Sequence, residues 1–276
     1  MSYKVLMAYV DLDGNGDARM SLAAELAERY HAALIGVSAW APAPPISVDI
    51  AVLESVPDLA DLQAMEDFLK AKGDKFRAIA DKAGGPVEWR SALELPTEFV
   101  VREVRAADLV IIGGSRHPVL RDPYGSVDPG AVLLRAGRPM LLVPPGVTSL
   151  AGKRIAVAWK DTQEARRAIV DALPFLQKAE TVAVVEFCES GEEATTAGHL
   201  KDVMQFLQRH DVNGAHELVR PVDVTLTKSL FRFVQDSAID LIVAGGYGHS
   251  RLGEWMFGGL TRDLLINSPV CCLLSH

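Results

Sequence analysis

The stretch Asp108-Leu109-Val110-Ile111-Ile112-Gly113-Gly114 returns later in the chain as Asp240-Leu241-Ile242-Val243-Ala244-Gly245-Gly246. Each copy is an acid, an unbroken apolar run and a glycine pair. Such a run bounded by a turn signal suits a strand buried on both faces, as in a parallel sheet covered by helices. Working outward, Lys4 to Asp11 echoes Arg154 to Asp161, and Arg138-Pro139-Met140-Leu141-Leu142-Val143 echoes Ser268-Pro269-Val270-Cys271-Cys272-Leu273. The matching blocks come in the same order in both halves, the signature of an internal repeat.

Between these blocks apolar runs alternate with amphipathic ones. Strands are expected near 3–10, 34–40, 87–92, 108–113 and 139–143, and again near 154–159, 181–187, 216–220, 240–245 and 270–274. Helices are expected near 17–31, 59–83, 97–106 and 129–136, then near 162–178, 193–210, 225–237 and 260–267. Ala165, Ile169, Leu173 and Leu176 set the apolar stripe of the first helix in the second half. Alternating βα units predict an α/β fold of two tandem, doubly wound, five-stranded parallel-sheet domains, 1–146 and 152–276. The junction from Pro144 to Gly152 is turn-rich and short, which keeps the domains in contact. Each closing strand, 139–143 and 270–274, is an apolar edge that must be covered, so the two are expected to meet in an intramolecular pseudo-dimer. Residues 41–58, with four prolines, read as an irregular surface flap.

The formal net charge of −8 excludes a general nucleic-acid surface, since phosphate binding needs clustered cations. No apolar stretch approaches the 18 residues of a membrane span, and Cys188, Cys271 and Cys272 form neither a disulfide framework nor a metal-ligand pattern. A cytoplasmic protein with reduced thiols and no metal is expected. Asp11, Asp13, Asn15 and Gly16 copy the first half of a calcium loop, but Leu22 stands at the twelfth position, which leaves an acidic turn and helix N-cap. Gly14-Asn15-Gly16-Asp17-Ala18-Arg19 mimics a dinucleotide fingerprint with Arg19 in place of its third glycine and three acids beside it.

The sharpest motif runs from Gly245 to Thr261. Two residues separate Gly245 from Gly248, nine separate Gly248 from Gly258, and Gly259, Leu260 and Thr261 follow. It leaves the C-terminal end of a strand and enters a helix, where open α/β sheets bind ligands. Glycines there let backbone N–H groups approach an anion, and a helix N-terminus favours negative charge. His249 lies inside the loop as a cation that can meet phosphate.

This G-x2-G-x9-G pattern resembles the nucleotide-phosphate loop of universal stress proteins, and the whole chain is similar to two such domains in tandem. The resemblance implies an adenine nucleotide alpha hydrolase-like fold and a regulatory role in stress response, with ATP or AMP held in the second domain. It implies that Gly245, Gly248, Gly258 and Gly259 line the phosphates and that Thr261 caps them. Family members commonly dimerise, so a homodimer and an unidentified protein partner are also implied. Two positions depart from the family pattern: Gly259 where nucleotide binders carry Ser or Thr, and Lys160 where an acid holds adenine. Lys160 would then meet a phosphate or ribose oxygen. In the first half Arg116 replaces the second glycine, although Gly125 and Ser126 are kept, so only the second domain is expected to bind. The alternative is an interaction module without nucleotide. No general base stands beside the loop, so an enzyme beyond a weak ATPase is not expected.

Overall fold

The computed structural model describes residues 2–13, 16–43, 47–48, 51–52, 58–114, 122–188, 193–221, 225–247 and 259–276. In the first half, β1 (Val5–Tyr9), α1 (Asp17–Tyr30), β2 (Ala33–Ala39), a small hairpin of β3 (Ser47–Val48) and β4 (Ala51–Val52), α2 (Leu59–Ala80), β5 (Val87–Ala92), α3 (Pro96–Glu103), β6 (Leu109–Gly113), α4 (Pro129–Arg135) and β7 (Met140–Val143) follow one another. The second half repeats the plan with β8 (Arg154–Trp159), α5 (Gln163–Leu176), β9 (Thr181–Cys188), α6 (Glu193–Arg209), β10 (Ala215–Pro221), α7 (Leu226–Asp236), β11 (Leu241–Gly245), α8 (Gly259–Asn267) and β12 (Cys271–Ser275). The hairpin lies inside the stretch expected to be wholly irregular.

Among the described residues, ten strands form one sheet in the order β10-β9-β8-β11-β12-β7-β6-β1-β2-β5. Within each half of this sheet all pairings are parallel. The halves join where β12 meets β7 antiparallel, with Leu273 opposite Leu141 and Cys272 opposite Leu142. The two apolar edges thus cover each other, as their composition demands. Leu141, Leu142, Cys272 and Leu273 are all buried.

The same acid starts both halves. Asp108 accepts the N–H groups of Lys4 at 2.7 Å and Val5 at 3.0 Å, and Asp240 accepts those of Lys153 at 2.9 Å and Arg154 at 3.2 Å. Val5 therefore corresponds to Arg154, one residue off the register suggested by matching Lys4 with Arg154. The corrected register sets Asp11 against Lys160.

Right-handed crossovers put α1, α2, α5 and α6 on one face and α3, α4, α7 and α8 on the other, and each face has its own buried cluster. The stripe of α5 buries Ala165, Ile169, Leu173 and Leu176 as its spacing predicts. Thr162 caps this helix by accepting the Ala165 N–H, and Asp58 caps α2 in a reciprocal box with Asp61. The cap of α1 corrects the acidic one read from sequence: it is Gly16, with no side-chain hydrogen bond. Asp11 instead pairs with Arg19, and Asp17 with Lys75.

Candidate functional site

In each half the strand order reverses between the first and fourth strands, so the chain leaves β8 toward one face and β11 toward the other. The crevice at the C-terminal ends of these two strands is the topological switch point. Here β11 ends on Gly245, whose missing side chain is a packing requirement: a Cβ would lie 2.6 Å from the Ala165 nitrogen and 2.8 Å from the Glu164 carbonyl carbon. The first turn of α5 thereby comes directly against the strand end. Gly246 serves the other direction, since its Cβ would fall 2.6 Å from Cδ2 of Leu133 in α4 of the first half.

Tyr247 follows with a left-handed backbone, φ 54°. Its N–H donates to Oγ1 of Thr261 at 3.1 Å, and Thr261 is buried. The hydroxyl expected to cap a phosphate therefore ties the start of the loop to the first turn of α8. Gly259 opens that helix, and no atom of the described residues lies within 4 Å of where its Cβ would point. Gly248, His249 and Gly258 lie outside the described residues. Lys160 is exposed at the end of β8, and its carbonyl accepts the Thr162 N–H at 2.7 Å. The structure thus brings Gly245, Thr261 and the α5 N-terminus together, with Lys160 at the rim.

The phenol of Tyr247 reaches across the junction. A Cβ on Gly130, in α4, would lie 2.8 Å from its oxygen, and its ring meets His276 edge-on at 6.4 Å. Burial, reinforced by the nearby Asp128 carboxylate, raises the phenol pKa to about 12. His276 in turn places Nδ1 3.0 Å from the Gly246 carbonyl.

The first half fills the equivalent crevice with protein. Arg19, in the first turn of α1, corresponds to Ala165 and extends over Gly113, where a Cβ would overlap its guanidinium. Its Nη1 bonds Asp11 and reaches the Tyr9 carbonyl at 3.4 Å. The side chain of Arg19 is only 11% exposed. In the sequence this residue stands out only as the missing third glycine of a dinucleotide-like motif. The available signal was an arginine at a core-facing position of α1 within reach of two aspartates.

Groups of three or more potential metal ligands are absent among the described residues, and no helix there is long and apolar enough to cross a membrane. Cys271 and Cys272 are buried, and burial raises both thiol pKa values to about 12.

No protein-family model matches the chain, and neither does any curated protein. Solved structures do. A universal stress protein from Archaeoglobus fulgidus DSM 4304 superposes with a TM-score of 0.73 at 15% identity, over 98% of this chain and 95% of that one. A functionally unknown protein from Pseudomonas aeruginosa PAO1 superposes with a TM-score of 0.59 at 14% identity, over 99% and 92%. The strand order, the antiparallel junction and these superpositions agree that the chain has the fold of a tandem universal stress protein.

Proposed function

We propose that this chain is a universal stress protein whose second half, residues 152–276, is a domain that binds ATP or AMP as a regulatory ligand. Its first half, residues 1–146, is then a domain of the same fold that does not. The observation that carries this reading is the difference between the two switch points. In the first, Arg19 occupies the space over Gly113 and is held there by Asp11. In the second, Ala165 stands in its place, and the strand end meets the backbone of α5 and Cβ of the buried Glu164. The glycine spacing from Gly245 through Gly248 and Gly258 supports phosphate binding above that strand end, which no arginine of the described residues covers as Arg19 covers Gly113. Lys160, where the first half has Asp11, offers a cation to phosphate or ribose oxygens in place of an acid for the base, so base preference is relaxed. No metal and no covalent chemistry are required for this role, which is carried out in the cytoplasm through a protein partner or a second copy of the chain.

A second reading draws on Thr261. Its oxygen accepts the Tyr247 N–H and its side chain is buried, which turns it inward and favours a module that signals through its surface without nucleotide. Calorimetric titration of the full chain with ATP, AMP and GTP separates the two. One site per chain, with ATP and GTP within a few-fold of each other and all binding lost in Gly248→Val, is expected. Absence of heat with every nucleotide establishes the second reading. Two sites per chain, or binding that survives Gly248→Val, overturns the assignment to the second half.

A further inference from the structure

Beyond α6 the chain turns sharply to enter β10, the edge strand of the second half. Asp211 takes a left-handed backbone, φ 62°, Val212 is buried, and Asn213-Gly214 completes the turn. Gly214 is required by packing, since a Cβ there would lie 2.6 Å from the Glu180 carbonyl oxygen. Its carbonyl accepts the Val182 N–H at 2.9 Å and so begins the pairing of β10 with β9. Close packing against Glu180 thus fixes a residue without a side chain directly after an asparagine.

Asn213 is exposed, and its Nδ2 donates to the Asp211 carbonyl at 3.4 Å, long for such a bond. Neither the Asn213 carbonyl nor the Gly214 N–H, the two sides of the peptide bond between them, makes a hydrogen bond among the described residues. An asparagine side chain carries an electrophilic carbon that the following backbone nitrogen can reach by closing a five-membered ring. The bulk of the next side chain, an engaged peptide group or a buried amide ordinarily prevents this. All three obstacles are missing at Asn213.

We propose that Asn213 is a site of spontaneous deamidation through a cyclic imide formed with Gly214. Base removes the Gly214 N–H proton, the nitrogen bonds to Cγ of Asn213, and the Cγ–Nδ2 bond breaks with release of ammonia. Water then opens the ring at either carbonyl carbon, which leaves an aspartate or an isoaspartate and involves no change of oxidation state. The Gly214 carbonyl lies outside the ring, so its bond to Val182 can persist while the ring closes. The first half cannot follow this course. There Leu34 donates to the Pro86 carbonyl at 2.9 Å as Val182 does to Gly214, which sets Gly85-Pro86 in the place of Asn213-Gly214. Glycine has no amide side chain to attack, and proline has no N–H to lose. The isoaspartyl product adds a methylene to the main chain just before β10 pairs with β9, and therefore strains the bond from Val182 and loosens an edge strand.

The test is ageing of the native full chain in mildly alkaline buffer, followed by trypsin and mass spectrometry. Residues 210–228 form one tryptic peptide, because Pro221 blocks cleavage after Arg220, and Asn213 is its only asparagine. The readout is therefore separate from Asn15-Gly16, the other pair of this kind in the sequence. The peptide is expected to appear as aspartyl and isoaspartyl forms with the isoaspartyl in excess. The rate should rise with pH and be comparable to that of the chain unfolded in guanidinium. In hydrogen exchange, the Val182 amide should exchange faster in the isolated isoaspartyl form but stay protected in Asn213→Asp, which has the same charge on a normal backbone. An Asn213 that stays intact in the native chain while it converts in guanidinium, or conversion to aspartate without isoaspartate, overturns the proposal. Unchanged Val182 exchange in the isoaspartyl form overturns the effect on β10.

Discussion

The guanidinium of Arg19 lies over Gly113, held there by Asp11 at the point where the sheet of the first half would otherwise open to a ligand. Each member of the trio depends on the others. Without the arginine, Asp11 is left partly buried beside the Tyr9 carbonyl; with any side chain at residue 113, the guanidinium must leave its partner. Arg19→Leu is expected to lower stability by about 2 kcal/mol. Gly113→Ala should cost less, because the arginine tip can move aside. Urea unfolding of both variants, with the m-value unchanged, checks the order.

A second effect concerns the sheet face of the first half. Gly36→Ala places a methyl 2.5 Å from the Phe76 ring and should destabilise by about 1 to 3 kcal/mol through overpacking. Adding Phe76→Ala removes the clash but leaves a cavity, so the double variant should be more stable than the sum of the single changes predicts. Strict additivity in thermal or urea unfolding would mean that the ring and the strand do not compete for this space.

Across the junction, Gly130 is expected to influence the other half. Gly130→Ala puts a Cβ 2.8 Å from the Tyr247 oxygen and pushes back the residue whose N–H is fixed by Thr261. Nucleotide affinity in calorimetry should fall although residue 130 belongs to the first half, with a loss of about 1 to 2 kcal/mol in stability. Unchanged affinity with reduced stability would show that the loop start is independent of α4.

Asp171 gives a pH dependence with a definite sign. Burial raises its pKa above 3.8, against the Ser275 hydrogen bond and the charges of Arg167 and Arg138, which lower it. The folded state therefore holds the proton more tightly than the unfolded chain. Its contribution is most favourable at low pH and declines as pH rises from 3.8 through the folded-state pKa. Asp171→Asn keeps an acceptor for Ser275 and removes this decline. The stability difference, variant minus native, should grow with pH across that window and stay level above it; a difference falling with rising pH would reverse the assignment.

The thiols on β12 should be inert in the folded protein. Cys271 and Cys272 are buried, with pKa values raised to about 12 by burial, so neither supplies thiolate near pH 8. Iodoacetamide at that pH should label them only after unfolding, as peptide mass spectrometry would read directly. Rapid native labelling would require the junction between β7 and β12 to open.

The repeat, the alternation of elements and the pairing of the closing strands were legible in the chain because they rest on local patterns. Unbroken apolar runs mark strands buried on both faces, amphipathic spacing marks the helices, and an apolar edge must find a cover. The predicted bounds of 87–92 and 154–159 coincide with β5 and β8. The hairpin of Ser47–Val48 with Ala51–Val52 was not legible, since two-residue strands carry no periodicity. The register of the repeat was off by one residue for a related reason: apolar strands look alike under a one-residue shift. Only the capture of two backbone N–H groups by Asp108 and by Asp240 fixes it.

For the site, sequence by itself determined the glycine spacing and the strand end that carries it, because glycine is chosen where backbone must approach backbone. What only the tertiary structure decided is which residue fills each crevice. Arg19 and Gly113 are far apart in sequence and meet solely because β6 pairs with β1, over which α1 begins, so that the arginine side chain reaches the neighbouring strand end. Thr261 is turned inward because Tyr247 needs an acceptor. Phe76 lies on β2 because Gly36 leaves room for its ring. Each of these outcomes depends on one side chain competing with another for a volume that exists only once the sheet has formed, and no local pattern encodes that competition.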